Sequence, residues 1–130
     1  MNIPSELKYS NDHEWVKIEG NKATIGVTDF AQSQLGDVVF VELPQLGDEV
    51  TAGHSFSVIE SVKAVSDICT PLSGKVIEIN DLLTDAPETV NQDAYGAGWI
   101  VILEISDQSQ IAELLDSAAY EKLLADEGGH

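Results

Sequence analysis

Arginine is absent from this 130-residue sequence. Lysine supplies all six positive side chains against 23 carboxylates, for a formal net charge of −17. That balance excludes nucleic acid as a partner, because phosphate contacts need clustered Lys and Arg and bidentate contacts need the guanidinium fork. An anionic membrane surface is excluded on the same ground. Cysteine is nearly missing as well. Cys69 alone can form neither an internal disulfide nor a thiolate metal cluster. His13, His54 and His130 are too scattered to make a short-range ligand pair, so no metal site is expected. No apolar run approaches the ~20 residues of a membrane span. Residues 1–15 lack a basic segment, an apolar segment and the Arg-rich character of a transit peptide. Neither G-x-G-x-x-G nor a Walker pattern occurs, so Gly26, Gly36, Gly47, Gly53 and Gly74 read as turns and helix stops.

What is present suffices for one domain over residues 1–130, with 43% hydrophobic residues to build its core. The expectation is a soluble protein of a reducing compartment. Its acidic excess serves solubility or steering toward basic partner surfaces, and composition weighs the two equally.

The first two-thirds of the chain reads as short strands. Trp15–Glu19 and Ala23–Val27 alternate about a Gly20-Asn21 turn, which predicts a hairpin. Thr28-Asp29 starts a helix over Ala31–Leu35, and Gly36 stops it. Val38–Leu43, apolar and β-branched, predicts a central strand ended by Pro44. Phe56–Glu60, Val65–Cys69, Lys75–Ile79 and Trp99–Ile105 are further strands, and polar residues 80–98 predict an ordered loop with one helical turn. Gly47-Asp48-Glu49-Val50 and Ser73-Gly74-Lys75-Val76 echo one another as turn-then-strand on either side of Lys63. From Asp107 the period becomes helical. Asp107 and Gln110 resemble a capping box; Ile111, Leu114 and Leu115 make one apolar face, Ala119, Leu123 and Leu124 another. Gly128-Gly129-His130 is expected to fray. Short strands with helices added at one end argue for a mainly β barrel or sandwich, with its core over about 7–105 and C-terminal helices over about 107–125.

Glu60-Ser61-Val62-Lys63-Ala64 separates two apolar strands so closely that Lys63 must project from a hairpin apex. An exposed lysine usually does nothing. Here lysine is scarce, and Ser-Val-Lys-Ala lacks the Gly, Asn or Asp that turns prefer. A hydrated ammonium with Glu60 and Asp67 nearby is a poor nucleophile and a poor Schiff-base former, since those roles need desolvation. It is well placed to be modified by another enzyme.

These residues resemble the lipoyl-attachment region of the glycine cleavage system H proteins. The resemblance includes Gly47–Val50, Pro71–Val76, His13-Glu14-Trp15-Val16, Gly26–Gln32, Leu35–Val41, Leu43-Pro44, Pro87-Glu88, Val90-Asn91, Tyr95-Gly96 and Gly98-Trp99. It covers essentially residues 7 to 125 in register. Biotin-carrying domains flank their lysine with methionine, where Val62 and Ala64 stand. Lipoyl domains of 2-oxoacid dehydrogenases carry Asp-Lys-Ala on a shorter domain with linkers to a catalytic core, which this chain lacks.

The resemblance implies a lipoyl/biotinyl-type barrel-sandwich hybrid with an extra N-terminal hairpin, one short internal helix and short C-terminal helices. It implies lipoic acid in amide linkage on Lys63, with Glu60, Ser61, Val62 and Ala64 recognised by a lipoyl ligase or lipoyl transferase. The protein would be a carrier and not an enzyme. A pyridoxal-phosphate glycine decarboxylase would load an aminomethyl group, a tetrahydrofolate-dependent aminomethyltransferase would take the carbon and release ammonia, and dihydrolipoamide dehydrogenase would collect the electrons. Such a division leaves the hard chemistry to cofactors. A monomer forming transient complexes follows by resemblance, and Met1 without a transit peptide points to a prokaryotic cytoplasm, a mature mitochondrial matrix protein being the alternative.

A loaded arm gains from a cleft that excludes water and offers a carboxylate to its cationic amine. By resemblance the candidates are Glu14 and Asp67, with Asp12 and Val27 as lesser lining. Both acids are also two of 23, for which plain solvation is the competing role; Trp15 beside Glu14 suggests partial burial. Phe30 and Gln34 occupy positions near which family members often carry histidine, and Asp12 replaces a less acidic residue. His13 reads as a structural hydrogen-bonding residue, Cys69 as a small packing residue, and Trp15 and Trp99 as core anchors. Two other functions stay open: a lipoyl relay donor for 2-oxoacid dehydrogenases, and an unmodified interaction module.

Overall fold

A computed structural model describes residues 3–128. Period-two alternation builds most of it. In β2 (Glu14–Glu19) and β3 (Lys22–Val27), Val16 faces Ile25 and Ile18 faces Ala23 across the hairpin, and Gly20 at φ +64° makes the reversal that an L side chain resists. These strands belong to a six-stranded antiparallel sheet, ordered β1 (Lys8–Tyr9), β2, β3, β9 (Val101–Ile105), β8 (Gly74–Ile79), β5 (Glu49–Val50). A second, three-stranded sheet is ordered β4 (Val38–Glu42), β6 (Ser55–Ser61), β7 (Val65–Cys69). One cluster of buried side chains draws on both: Val16, Ile25 and Leu103 from the first sheet, Val41, Ile59 and Ile68 from the second. The mainly β sandwich with short helices agrees with expectation, and its hydrogen bonding leaves both sheets open rather than closing a barrel.

The two echoing segments turn out to be partners. Glu49 pairs with Lys75 and Val50 with Gly74, while the Gly47 N–H donates to the Val76 carbonyl and the Val76 N–H to the Asp48 carbonyl, both at 2.8 Å. Helix α1 (Asp29–Leu35) runs where predicted. Thr28 Oγ1 caps it by accepting from the Ala31 N–H at 3.2 Å, and Gly36, at φ +78°, ends it.

Several expectations need correction. β4 is an edge strand, not a central one. A bulge between Val38 and Phe40 turns Val39 and Phe40 outward, and only Val38 and Val41 are buried, so the apolar run overstates its burial. Residues 80–98 hold two short helices, α2 (Leu82–Asp85) and α3 (Thr89–Gln92), seated by Leu83 and Val90 in the core. Trp99 and Ile100 precede β9 rather than lying in it. No capping box forms at 107–110. Asp107 caps a 3-10 helix (Gln108–Glu113) through the Ser109 N–H, but Gln110 reaches away to Ser73, accepting from its N–H at 2.8 Å. Helix α4 (Ser117–Gly128) takes in Gly128, and residues 129–130 of the segment expected to fray lie outside the described residues.

Helix α4 returns to the start of the chain. Leu115 forms a bridge with Tyr9, and a second buried cluster of Leu7, Tyr9, Trp15 and Tyr120 joins the helix to the β1–β2 side of the larger sheet.

Candidate functional site

The Lys63 tip turns at Val62-Lys63, flanked by Ser61 at the end of β6 and by Ala64, which precedes β7. Primed turns suit such loops because positive φ matches strand twist, yet neither residue adopts positive φ. Ser61 compensates. Its N–H donates to the Ala64 carbonyl at 2.8 Å, and its Oγ accepts from the N–H groups of Lys63 and Ala64 at 3.2 and 3.1 Å. Val62 hangs from the body by donating its N–H to the Asp37 carbonyl at 3.0 Å. The turn chemistry that the sequence seemed to lack is therefore carried by one serine. Lys63 itself is exposed, and Val62 and Val65 beside it are each 67% exposed.

Glu14 occupies the opposite environment, 2% exposed at the start of β2, directly across from Val27, which is itself buried. Ser10 is its anchor: the hydroxyl donates to Glu14 Oε1 at 2.6 Å and accepts from the N–H groups of Asp12 and Glu14, each at 3.2 Å. Burial pushes the Glu14 carboxyl up to about 7; the Ser10 hydrogen bond opposes this and the Asp12 charge adds to it. The Cys69 thiol is also raised, chiefly by burial and then by Glu14, Asp12 and Asp67 in turn. On β7, Asp67 and Cys69 are two residues apart on one face.

Of the four residues expected of a cleft, Glu14 and Val27 are cross-strand partners and Asp12 lies in the adjoining turn, while Asp67 is exposed on β7. Cys69 is half-buried on β7. His13 stands at φ +67°, in the left-handed region, with Nδ1 at 2.9 Å from the Tyr120 hydroxyl and its ring 4.7 Å from that of Phe30. The Thr28 hydroxyl lies 2.7 Å from the same Tyr120 oxygen, and Tyr120 stacks on Tyr9 at 4.6 Å. Phe30 therefore meets its neighbours through ring contact, while Gln34 is exposed. Trp15 is a core anchor, its Nε1–H donating to the Ala94 carbonyl at 2.8 Å, whereas Trp99 is only partly buried.

Helix α1 connects the two regions. Thr28 and Phe30 at its start meet the Glu14 turn, and at its end Gly36 meets Lys63. The seven residues between span about 10 Å at the usual helical rise.

Sequence reasoning missed Ser10, Tyr120 and Asn91. Ser10 four residues before an acid was a visible signal, whereas nothing local marks Tyr120, which lies 107 residues from His13. Among the described residues no three His, Cys, Asp or Glu side chains are placed to hold a metal ion, and no helix is long and apolar enough to cross a membrane.

Comparison with known proteins bears directly on this geometry. A family model described as "Glycine cleavage H-protein" matches residues 7–127. A glycine cleavage system H protein of Carboxydothermus hydrogenoformans is 55% identical over 126 residues, covering 97% of each chain. One from Halalkalibacterium halodurans is 54% identical over 126 residues, covering 97% of this chain and 98% of its own. The crystal structure of a glycine cleavage system H protein from Mycobacterium marinum superposes with a TM-score of 0.85 at 37% identity, covering 97% of this chain and 99% of that one. The chain belongs to the glycine cleavage H-protein family, and its role is that of a lipoyl carrier in the glycine cleavage system.

Proposed function

We propose that Lys63 carries the lipoyl group in amide linkage and that the chain shuttles an aminomethyl group from a pyridoxal-phosphate glycine decarboxylase to a tetrahydrofolate-dependent aminomethyltransferase, then electrons to dihydrolipoamide dehydrogenase. The observation that carries this reading is the exposed lysine on a loop pinned by Ser61 and by the Asp37 carbonyl. An amide suits that position, because acylating an ammonium already in solvent strands no buried charge. Bound there, the lipoyl group would supply a disulfide that accepts two electrons and a carbon unit. The protein itself does no bond-making. Glu60, Ser61, Val62 and Ala64 present the lysine to a lipoyl ligase or lipoyl transferase. Glu14, buried beside Val27 and with the Asp12 charge near it, is the group that would receive a cationic amine, with Asp67 as a further carboxylate on the arm's path.

A carrier that engages several enzymes in turn gains from fast, salt-sensitive encounters, and a net charge of −17 favours them over static assembly. We take the protein to be a monomeric, non-catalytic component of a bacterial cytoplasm.

Intact mass after incubation with a lipoate ligase and lipoate tests the reading. One lipoyl increment is expected on the wild type and none on Lys63→Ala. Glycine-dependent loading of the product by the decarboxylase then separates glycine cleavage from a relay function. No increment on the wild type, or an equal increment on the variant, overturns the assignment.

A further inference from the structure

Gly36, Asp37 and Val38, directly beneath the tip, are held by a single side chain from another element. Asn91 of α3 accepts at Oδ1 from the Val38 N–H at 2.8 Å. Its Nδ2 donates to the Gly36 carbonyl at 2.8 Å and to Gln32 Oε1 at 3.0 Å. One donor and two acceptors surround the amide, so its orientation is fixed by its partners. Between the two clamped residues, the Asp37 carbonyl receives the Val62 N–H. The tip therefore hangs from a segment whose geometry Asn91 determines.

The lysine side chain lies on that same segment. A Cβ on Gly36 would stand 3.2 Å from Lys63 Cε and 3.4 Å from Cδ, tighter than ordinary contact. The glycine ends α1 at φ +78°, and it also leaves a floor against which the lysine stem rests. Within this arrangement an aspartate at 91 could still accept from Val38, but it would lose both donations and set an anionic oxygen against the Gly36 carbonyl.

We propose that Asn91 is a positioning residue for the carrier lysine: by clamping Gly36 and Val38 it holds the floor under the Lys63 stem and sets the direction in which that side chain leaves the tip. This rests on Lys63 being the attachment residue. Asn91 touches no reacting atom and acts through Gly36 and Asp37.

The test uses unloaded full-length protein and three variants. Asn91→Asp and Asn91→Ala disturb the clamp. Asn80→Asp is the control, since Asn80 is buried and its Nδ2 donates to the Ala97 and Trp99 carbonyls at 2.7 Å each, the same chemistry in a different place. Nuclear Overhauser effects between the Lys63 δ and ε methylenes and the Gly36 α protons report the stem's position. Ligase kinetics report its presentation, and urea unfolding reports stability. The wild type should show the Lys63–Gly36 effects, and both Asn91 variants should lose them. Ligase kcat should fall about five-fold with KM within about two-fold, because an amine in near-attack geometry less often slows the step without weakening docking. Asn80→Asp, whatever stability it loses, should keep both readouts. Absence of the effects in the wild type, wild-type kcat in the Asn91 variants, or an equal loss in Asn80→Asp overturns the proposal. A lipoyl increment persisting on Lys63→Ala would instead break the attachment reading, while the Lys63–Gly36 effects still report on the clamp.

Discussion

The tip around Lys63 and the pocket around Glu14 are built by opposite means. At the tip, a four-residue segment satisfies its backbone through Ser61 and leaves Val62, Lys63 and Val65 in solvent. At Glu14, a carboxyl group is taken almost wholly out of water and left with one hydroxyl donor, with the Asp12 charge nearby. The first arrangement contributes little to stability and can be altered freely without unfolding the chain. The second opposes folding above the acid range, a cost that the proposed role of Glu14 in receiving a cationic amine would account for. Function at the tip should therefore separate cleanly from stability, whereas at the pocket the two should move together.

The largest expected effect is at Lys63. Lys63→Ala should eliminate lipoyl attachment entirely while shifting unfolding by no more than about 0.5 kcal/mol, the range for an exposed residue. Glu14→Gln should leave attachment at the wild-type rate. Intact mass and urea unfolding on the same two variants read this double dissociation, and a Lys63→Ala chain that failed to fold would break the contrast.

Next is the opposite face of the Glu14 hairpin. Gly26 pairs with Trp15 across the hairpin, and a Cβ there would stand 2.7 Å from the indole Nε1 and Cε2. The indole cannot move aside, since it is buried and bonded to the Ala94 carbonyl. Gly26→Ala should cost about 3 kcal/mol in urea unfolding, at the upper end of overpacking effects.

Glu14 gives a smaller, pH-dependent effect. In the unfolded chain its carboxyl titrates at its ordinary 4.5, and in the fold at about 7. Below 4.5 both states hold the proton and Glu14 costs nothing. As pH rises toward 7 the unfolded state releases a proton that the folded state retains, so stability falls, and the deficit is complete above 7. Glu14→Gln, which keeps an acceptor for Ser10, should be more stable than the wild type by on the order of 2 kcal/mol at pH 8, with the gap closing by pH 4. Equal stability at both pH values would mean that the carboxyl is solvated and the contrast with the tip is false.

These two regions were not equally legible in the sequence. The tip is local: a lysine between two apolar strands, with motif residues on either side, needs no tertiary knowledge. Glu14, Asp67, Asp12 and Val27 followed from resemblance, and the hairpin register then sets Glu14 across from Val27. The supports are another matter. Tyr120 meets His13 and Thr28 only because α4 folds back onto the β1–β2 side, and Asn91 reaches Gly36 and Val38 from a loop whose polarity conceals two helices. The Val38–Leu43 run misled for a related reason: β-branched and aromatic residues report a pleated surface, not which face is covered, and a bulge turned Val39 and Phe40 outward.

The smallest effect distinguishes what Ser61 does. Its hydroxyl accepts from two N–H groups, while the Ser61–Ala64 and Val62–Asp37 backbone bonds do not depend on it. Water replaces an exposed acceptor readily, so Ser61→Ala should cost only about 0.5 kcal/mol. It should nonetheless slow ligase-catalysed attachment about three-fold, because a loop without the positive φ that hairpins favour depends on that oxygen to hold Lys63 in one place. Ser61→Thr supplies the same oxygen on a bulkier side chain that suits the end of a strand. If the hydroxyl acts by shaping the loop, Ser61→Thr should restore the rate to within about two-fold; if the modifying enzyme reads the serine side chain itself, Ser61→Thr should be as slow as Ser61→Ala. The same pair of variants thus decides whether the tip is recognised by its residues or by the shape they impose on the backbone.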